Sequence, residues 1–186
     1  MNPGLTLHPP LTKQSACSLR AGQKVFLSGT IYTARDAAHK RLAETLQAGL
    51  KPPFPLEGQV IYYVGPTPPI PGRPIGSAGP TTSSRMDSYT PILIDAGVKG
   101  MIGKGRRSRE VVETMRRNGA VYFAAFGGLG ALLSECILSS EVVAWEDLGT
   151  EAVRRLDVRN FPVVVAIDAS GGDLYESGPS AFMTRP

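Results

Sequence analysis

The sequence has few of the residues that bind metals. Its 186 residues include two cysteines, Cys17 and Cys136, and two histidines, His8 and His39. They form no Cys-x-x-Cys or His-x-x-x-His pair, so this chain alone cannot build a four-ligand zinc site or a cysteine-held iron–sulfur cluster. Any metal centre therefore needs a partner. Two distant cysteines also argue against a disulfide framework, and both thiols are predicted to be inert.

Long hydrophobic runs are also missing. The longest, 120–126 and 161–167, hold seven residues each, whereas a membrane-spanning helix needs roughly 20. The first residues, Met-Asn-Pro-Gly, have neither the basic nor the apolar region of a secretory signal. We therefore expect a soluble, cytoplasmic protein without a membrane partner. Its length and 42% hydrophobic content predict a single domain over 1–186, with a core at about 22–170.

The net charge is only +4, and the excess is concentrated at 99–117. Lysines and arginines there outnumber Glu110 and Glu113. Such a cluster can attract nucleic acid or small anions, but a solvated helix face accounts for most of it. The segment lacks the interleaved aromatic residues typical of single-stranded nucleic acid binding. Nucleic acid is therefore an unfavoured partner.

Hydrophobic periodicity predicts strands that alternate with helices. Strands are predicted at 5–11, 24–33, 59–64, 98–102, 120–126, 137–145 and 158–167. Helices are predicted at 36–48, at 81–96 with a break at Pro91, at 108–117 with Ser108 as N-cap and Gly119 as stop, after 127–130, and at 150–156. The proline- and glycine-rich connector at 65–80 is typical of a functional loop. The alternation indicates an α/β domain with a mixed, partly parallel sheet and flanking helices.

Basic side chains stand at three comparable places in this pattern. Arg35 and Lys104 each follow a predicted strand, and Arg85 lies near the start of the helix predicted from residue 81. Ligands of open α/β sheets bind beyond the carboxyl ends of the strands, where helix N-termini attract anions. Two arginines and a lysine there suit a small dicarboxylate. Alternatively, each is an exposed or salt-bridged side chain, and Arg35 forms a local pair with Asp36.

Hydroxyl and imidazole groups accompany these cations. The four hydroxyls at 81–84 are each explained as helix caps; alternatively, one faces the anion and moves a proton. A hydroxyl needs activation by neighbours for that role, and the sequence reveals none. His39 falls four residues after Arg35 on the same helix face and could line the pocket, although a packed or surface histidine is the simpler interpretation. The glycines around Lys104 lack the spacing of a Walker A loop.

The segment 76–87 (GSAGPTTSSRMD) resembles the signature of the iron–sulfur hydro-lyases of the class I fumarase and L-tartrate dehydratase type. Segments 34–40 (ARDAAHK), 60–66 (VIYYVGP) and 103–105 (GKG) resemble other parts of that family, in the same order. The similarity runs from about Gly29 to Asp168. It is to the β subunit, or to the C-terminal domain of the single-chain forms.

The resemblance implies a swivelling β/β/α domain and an α subunit whose three cysteines hold a [4Fe-4S] cluster, in an α2β2 assembly. The cluster would bind the substrate as a Lewis acid, and this chain would supply no metal ligand. By motif, Arg35, Arg85 and Lys104 correspond to residues that grip the substrate carboxylates, and Thr81 to the proposed catalytic base. Possible pocket-lining residues are His39, Thr82 and Gly79.

The reaction implied by the resemblance is the reversible hydration of fumarate to (S)-malate. L-tartrate dehydratase is the closest competitor, because no residue here distinguishes the two substrates. A stand-alone dicarboxylate-binding module is a further alternative. The sequence departs from the family pattern at two positions: Ser84 stands where many members have glycine, and Gly103 where alanine is common.

Overall fold

A seven-stranded mixed sheet forms the centre of the structure, a computed structural model that describes residues 4–182. The strands are β1 (Leu5–Leu7), β2 (Lys24–Thr33), β3 (Val60–Tyr62), β4 (Gly100–Gly103), β5 (Val121–Ala124), β6 (Ile137–Ala144) and β7 (Val153–Ile167). Strands β1 to β5 are parallel neighbours, and β7 runs antiparallel to β5, β6 and β2. Because β7 pairs with both β5 and β2, the five strands β2, β3, β4, β5 and β7 close into a ring.

Helices flank this sheet. They are α1 (Lys13–Cys17), α2 (Asp36–Gln47), α3 (Thr90–Asp95), α4 (Arg109–Asn118), α5 (Gly130–Glu135) and α6 (Leu174–Phe182), with 3₁₀ turns at Ser83–Met86 and Glu146–Glu151. Successive strand residues point to opposite faces of a sheet, so Tyr62 packs in one buried cluster while Ile61 and Tyr63 pack in a second one. The second cluster includes the buried faces of α2, α3 and α4. The mixed, partly parallel α/β fold predicted from the sequence is confirmed.

The strongest local signals matched the structure. Strand β2 covers 24–33 as predicted, and α2 ends one residue before its predicted end. At the start of α4, the Ser108 hydroxyl accepts a hydrogen bond from Val111 N at 3.4 Å. The same helix ends at Gly119, whose φ of 64° is the left-handed conformation that glycine adopts without strain.

Two predicted helices were wrong. The helix predicted at 81–96 is instead the 3₁₀ turn followed by α3, and Pro91 lies in the first turn of α3, where its missing N–H costs no hydrogen bond. The helix predicted at 150–156 gives way to the first part of β7, where Arg155 pairs with Tyr32 of β2 and Glu141 of β6. Long-range strand pairing overrides the local helical pattern there.

Between residues 4 and 182, no helix is long and apolar enough to cross a bilayer. The first three residues, on which the expected absence of a secretory signal partly depends, lie outside the described part of the chain. The single domain over 1–186, with a core at about 22–170, stays a prediction.

Candidate active site

The predicted site residues lie where the parallel strands end. Arg35 follows β2 after one residue, and Lys104 follows β4 directly. Thr81 reaches the same edge because its backbone N–H donates to the carbonyl of Tyr63, just beyond β3, at 2.7 Å. The carboxyl ends of β2, β3 and β4 meet at one edge, where α/β proteins commonly bind ligands.

A short backbone pairing joins the segment of Thr81 to that of Lys104. Lys104 N donates to Thr81 O at 3.2 Å, and Ser83 N donates to Lys104 O at 2.9 Å. Thr82, which is exposed, forms the isolated parallel bridge with Lys104. The Thr81 side chain is half-buried, and the exposed Lys104 ammonium has no ion pair with any side chain described between residues 4 and 179. The backbone of Thr81 thus pairs with that of a cation that has no carboxylate partner among these side chains.

Asp36, the first residue of α2, links the two predicted arginines. The Arg85 guanidinium donates from Nε to Asp36 Oδ1 at 2.8 Å and from Nη2 to Oδ2 at 2.6 Å. Arg35 Nε lies 3.6 Å from Asp36 Oδ2. A guanidinium has five N–H donors, so the edge of Arg85 that carries Nη1 keeps donors for a second carboxylate. Asp36 therefore fixes the orientation of Arg85 without filling its binding capacity.

Arg35 is more buried than Arg85, with 21% of its side chain exposed against 49%. Its Nη2 lies 3.4 Å from Glu151 Oε1, and the other Glu151 oxygen accepts from Ala37 N at the start of α2. A Cβ atom at Gly65 would approach Arg35 Nη1 to 2.6 Å, so only glycine leaves room for this guanidinium. Arg35 Nε is buried without a hydrogen-bond partner in the described structure. Arg35 is thus a fixed cation at the wall of the site.

His39 lies behind the arginines, with only 1% of its surface exposed. Its Nδ1 is 3.0 Å from the Arg35 carbonyl and must carry the proton, because a carbonyl can only accept. The ring packs edge-on against Tyr63, and its Nε2 has no partner among the described residues. Burial lowers the pKa of His39 to about 4, so the ring is neutral at pH 7. The His39 ring donates a hydrogen bond to the backbone carbonyl of Arg35 and does not face solvent.

This burial predicts a specific loss of stability in acid. Unfolding raises the pKa of His39 from about 4 to its ordinary value of 6.5, so the unfolded state binds more protons and stability falls as the pH drops through this window. Between about pH 7 and pH 5, the free energy of unfolding should fall by about 2 kcal/mol more in the wild type than in His39→Gln. Urea unfolding at several pH values measures this difference. The exposed-histidine variant His8→Gln should keep the wild-type slope; an equal slope in His39→Gln would contradict the assignment.

The segment at Gly79 packs backbone to backbone against the start of α5. Ala78 N donates to Gly130 O at 3.0 Å, and a Cβ atom at Gly130 would lie 2.8 Å from Gly79 N. The hydroxyl of Tyr62 donates to the carbonyl of Ala78 from the opposite side. Gly79 is half-buried here. These contacts fix the chain just before Thr81.

Gly103, where the resemblance to the family predicts alanine, faces Ser83. A Cβ atom at Gly103 would overlap the Ser83 hydroxyl, which is fully buried and lies 2.9 Å from the hydroxyl of Tyr122. Gly103→Ala should therefore destabilise the chain by about 1–3 kcal/mol through overpacking. Adding Ser83→Ala removes the clashing oxygen, so the double variant should be more stable than the sum of the single effects by at least about 1 kcal/mol. Denaturant unfolding of all four proteins measures this coupling, and strict additivity would contradict the contact.

Sequence reasoning missed the residues that organise the site. Asp36 was considered only as a local partner of Arg35, and the role of Glu151 depends on a segment more than 100 positions away. Asp87 and Arg107 form a buried ion pair beneath the site, with 2.7 Å between Arg107 Nε and Asp87 Oδ1. Arg107 lies in the basic run at 99–117. Its exposed neighbours include other arginines, so the sequence does not distinguish the buried arginine from them.

The donor set of this chain does not fit an iron–sulfur cluster. A cluster of this kind is held by several cysteine thiolates, and the two cysteines here are free and lie apart from the site, in α1 and at the end of α5. Among the described residues, no group of three His, Cys, Asp or Glu side chains could hold a metal ion. These 186 residues therefore do not supply the thiolate ligands of such a cluster.

Fold and site together define an α/β domain with a cationic edge at the ends of its parallel strands. The chain belongs to the family described as "Fumarase C-terminus", which matches residues 3–178. This result confirms the resemblance drawn from segments 34–40, 60–66, 76–87 and 103–105.

Curated relatives with detectable similarity carry related names. The chain is 38% identical to "Fumarate hydratase class I, anaerobic" of Escherichia coli over 82% of its own length and 28% of the relative. It is 37% identical to "Fumarate hydratase 1, mitochondrial" of Leishmania major over 92% of its length and 30% of the relative. The "Putative L(+)-tartrate dehydratase subunit beta" of Methanocaldococcus jannaschii is 39% identical, with 89% of this chain and 88% of the relative covered. The chain thus spans less than a third of these fumarate hydratases but most of the β subunit.

Proposed function

We propose that this chain is the β subunit of a [4Fe-4S]-dependent hydro-lyase that reversibly hydrates fumarate to (S)-malate. The observation that carries the proposal is the pairing of Thr81 with Lys104 beside the Arg35–Asp36–Arg85 ion pairs. Cations spread along one sheet edge suit a substrate with two carboxylates. The names of the fumarate hydratase relatives support the reaction type.

In this proposal, Arg85, Lys104 and Arg35 bind the substrate carboxylates. Arg85 offers the donors of its Nη1 edge, and Lys104 offers an ammonium that no described carboxylate neutralises. Thr81 moves the proton at C3 of the substrate. As that proton leaves, negative charge grows on the adjacent carboxylate, and preorganised cations stabilise it.

A partner α subunit would hold the iron–sulfur cluster and complete the site, in an α2β2 assembly. Arg85 and Lys104 are exposed, and charged contacts are strong only where water is excluded. A second polypeptide that covers this edge would exclude it. Two free thiols are compatible with a reducing, cytoplasmic location.

The surface next to Lys104 has the character of a partner-binding face. Exposed large apolar side chains cluster there at Phe126, Leu129 and Leu132, and Gly127 lies between them against the Lys104 side chain. Exposed apolar patches commonly mark protein interfaces. We assign this face, 126–132, to the α subunit because it borders the open side of the site.

Substitution on this face should weaken assembly and leave the fold intact. Leu129→Asp/Leu132→Asp should raise the dissociation constant for the α subunit at least about tenfold, because a desolvated apolar contact becomes a buried charge. The control is Leu50→Asp, because Leu50 is 63% exposed, similar to the 58% of Leu132, but lies after α2. Calorimetric titration of the two subunits measures the change. Equal affinity of the double variant and the wild type would move the interface elsewhere.

Product identification tests the reaction itself. The chain is co-expressed with a cluster-bearing α subunit from the same genome, purified without oxygen, and given fumarate or L-tartrate while NMR follows the products. Malate formed from fumarate supports the proposal. Oxaloacetate from tartrate alone would favour the alternative suggested by the relative named as a tartrate dehydratase β subunit. Micromolar malate binding by the chain alone, without turnover in the complex, would favour a stand-alone dicarboxylate-binding module.

A further inference from the structure

The Arg107 guanidinium is fully buried beneath the proposed site. Its side chain has 0% exposure, and it donates from Nε to Asp87 Oδ1 at 2.7 Å and from Nη2 to Thr90 Oγ1 at 2.8 Å. It also lies over two aromatic rings, 5.3 Å from the centroid of Tyr63 and 5.0 Å from that of Tyr122. Buried ion pairs often stabilise a fold no better than apolar residues would, because removing the charges from water is costly. Stability alone is thus a weak reason for a charge at this place.

The ion pair joins the two segments that carry the proposed site residues. Asp87 lies two residues after Arg85, and Arg107 lies three residues after Lys104. The second oxygen of Asp87 accepts from the backbone N–H of Ser108 at 2.6 Å, so the carboxylate is fixed by both its oxygens. Any shift of the Arg85 segment relative to the Lys104 segment would break these hydrogen bonds.

A second connection runs through Tyr122, whose ring packs against the buried Arg107 guanidinium. The Tyr122 hydroxyl donates to Gly105 O at 3.0 Å, and because it has only one proton, it accepts from the hydroxyl of Ser83 at 2.9 Å. Gly105 N in turn donates to the hydroxyl of Tyr175 at 3.0 Å. Gly105, the residue after Lys104, is therefore held through both its N–H and its carbonyl.

We propose that Arg107 is a positioning residue for the reaction, which through Asp87 and the tyrosines sets the spacing between Thr81, Arg85 and Lys104. The substrate's two carboxylates require a fixed distance between the cations that bind them. A lysine would keep the charge at position 107, but its single ammonium cannot reproduce the planar fork or the stacking over the rings. This inference rests on the proposed function of the chain.

The test compares Arg107→Lys with Arg117→Lys in the assembled αβ complex. Arg117 also lies close to an aspartate of α3, but that pair is exposed and away from the site. With fumarate as substrate, Arg107→Lys should raise KM by about tenfold or more and lower kcat, whereas Arg117→Lys should stay within about twofold of the wild type. A purely structural role would reduce the active fraction and so lower kcat at constant KM. An unchanged KM in Arg107→Lys would therefore overturn the inference.

A milder variant covers the case in which Arg107→Lys does not fold or assemble. Tyr122→Phe keeps the ring over Arg107 and removes only the hydroxyl between Ser83 and Gly105. We expect its KM for fumarate to rise about threefold or more, and an unchanged KM would overturn the positioning role. A wild-type complex that turns over neither fumarate nor L-tartrate would overturn the proposed function and this inference together. That outcome is seen before any variant is measured.

Discussion

Replacing Arg85 with glutamine in the assembled enzyme should lower kcat/KM for fumarate by about 10²- to 10³-fold, the usual cost of removing one preorganised donor from a site of developing charge. The Nη1 edge of Arg85 is the part of the guanidinium that Asp36 leaves available. Glutamine keeps polarity and one donor group but loses the positive charge and the paired donors. The loss should appear in kcat as well as KM, because the charge on the substrate carboxylate grows in the transition state.

A matched arginine controls for non-specific effects in this measurement. Arg73 is also partly exposed and pairs with a carboxylate, that of Glu135, but it lies within the 65–80 connector, eight residues before Thr81. Arg73→Gln should keep kcat/KM within a few-fold of the wild type. If Arg85→Gln behaves like Arg73→Gln, Arg85 has no role in substrate binding and the dicarboxylate site must be sought elsewhere.

Replacing Asp87 with alanine should destabilise the fold by about 3–5 kcal/mol, because it leaves the buried Arg107 charge without its partner. Burial alone would lower the pKa of Arg107, but the nearby Tyr63, Asp87 and Tyr122 outweigh burial and raise the pKa above its usual value. Arg107 therefore stays charged when Asp87 is removed, and its unpaired buried charge lowers the free energy of unfolding. Denaturant unfolding of the purified chain measures the effect.

The control for this second prediction is Asp95→Ala. Asp95 lies in α3, accepts from Asn118 at 2.8 Å and is 3.6 Å from Arg117, but this pair is exposed on both sides. Exposed pairs contribute about 0–1 kcal/mol, so the control should lose little stability. Similar losses in both variants would mean that the Asp87–Arg107 pair is no more important than a surface ion pair.

Elements with complete local signals could be predicted from the sequence. Strand β2 has a run of β-forming residues, and α4 has both an N-cap, Ser108, and a glycine stop, Gly119. The first part of β7 could not be predicted, because one of its two strand partners, β2, lies far away in the sequence. The local spacing of apolar residues there favours a helix. Only the pairing of β7 with β2, which closes the ring of strands, makes the segment a strand.

The same division applies to the site. The positions of Arg35 and Lys104 followed from strands that end just before them, which the local pattern reveals. The burial of Arg107 did not, since Arg106 and Arg109 share its residue type and only the tertiary partners Asp87, Tyr63 and Tyr122 distinguish it. A charged residue at the end of a strand can therefore be predicted from the sequence. The hydrogen bonds and ion pairs that orient its side chain cannot.

The central claim is that this chain supplies the carboxylate-binding half of an active site that a cluster-bearing subunit completes. The most direct measurement is an anaerobic titration of the purified chain into a fixed amount of cluster-loaded α subunit while fumarate hydration is followed. We expect no activity from either polypeptide alone and a rate that saturates at one chain per α subunit. Full activity of the α subunit without this chain would contradict it.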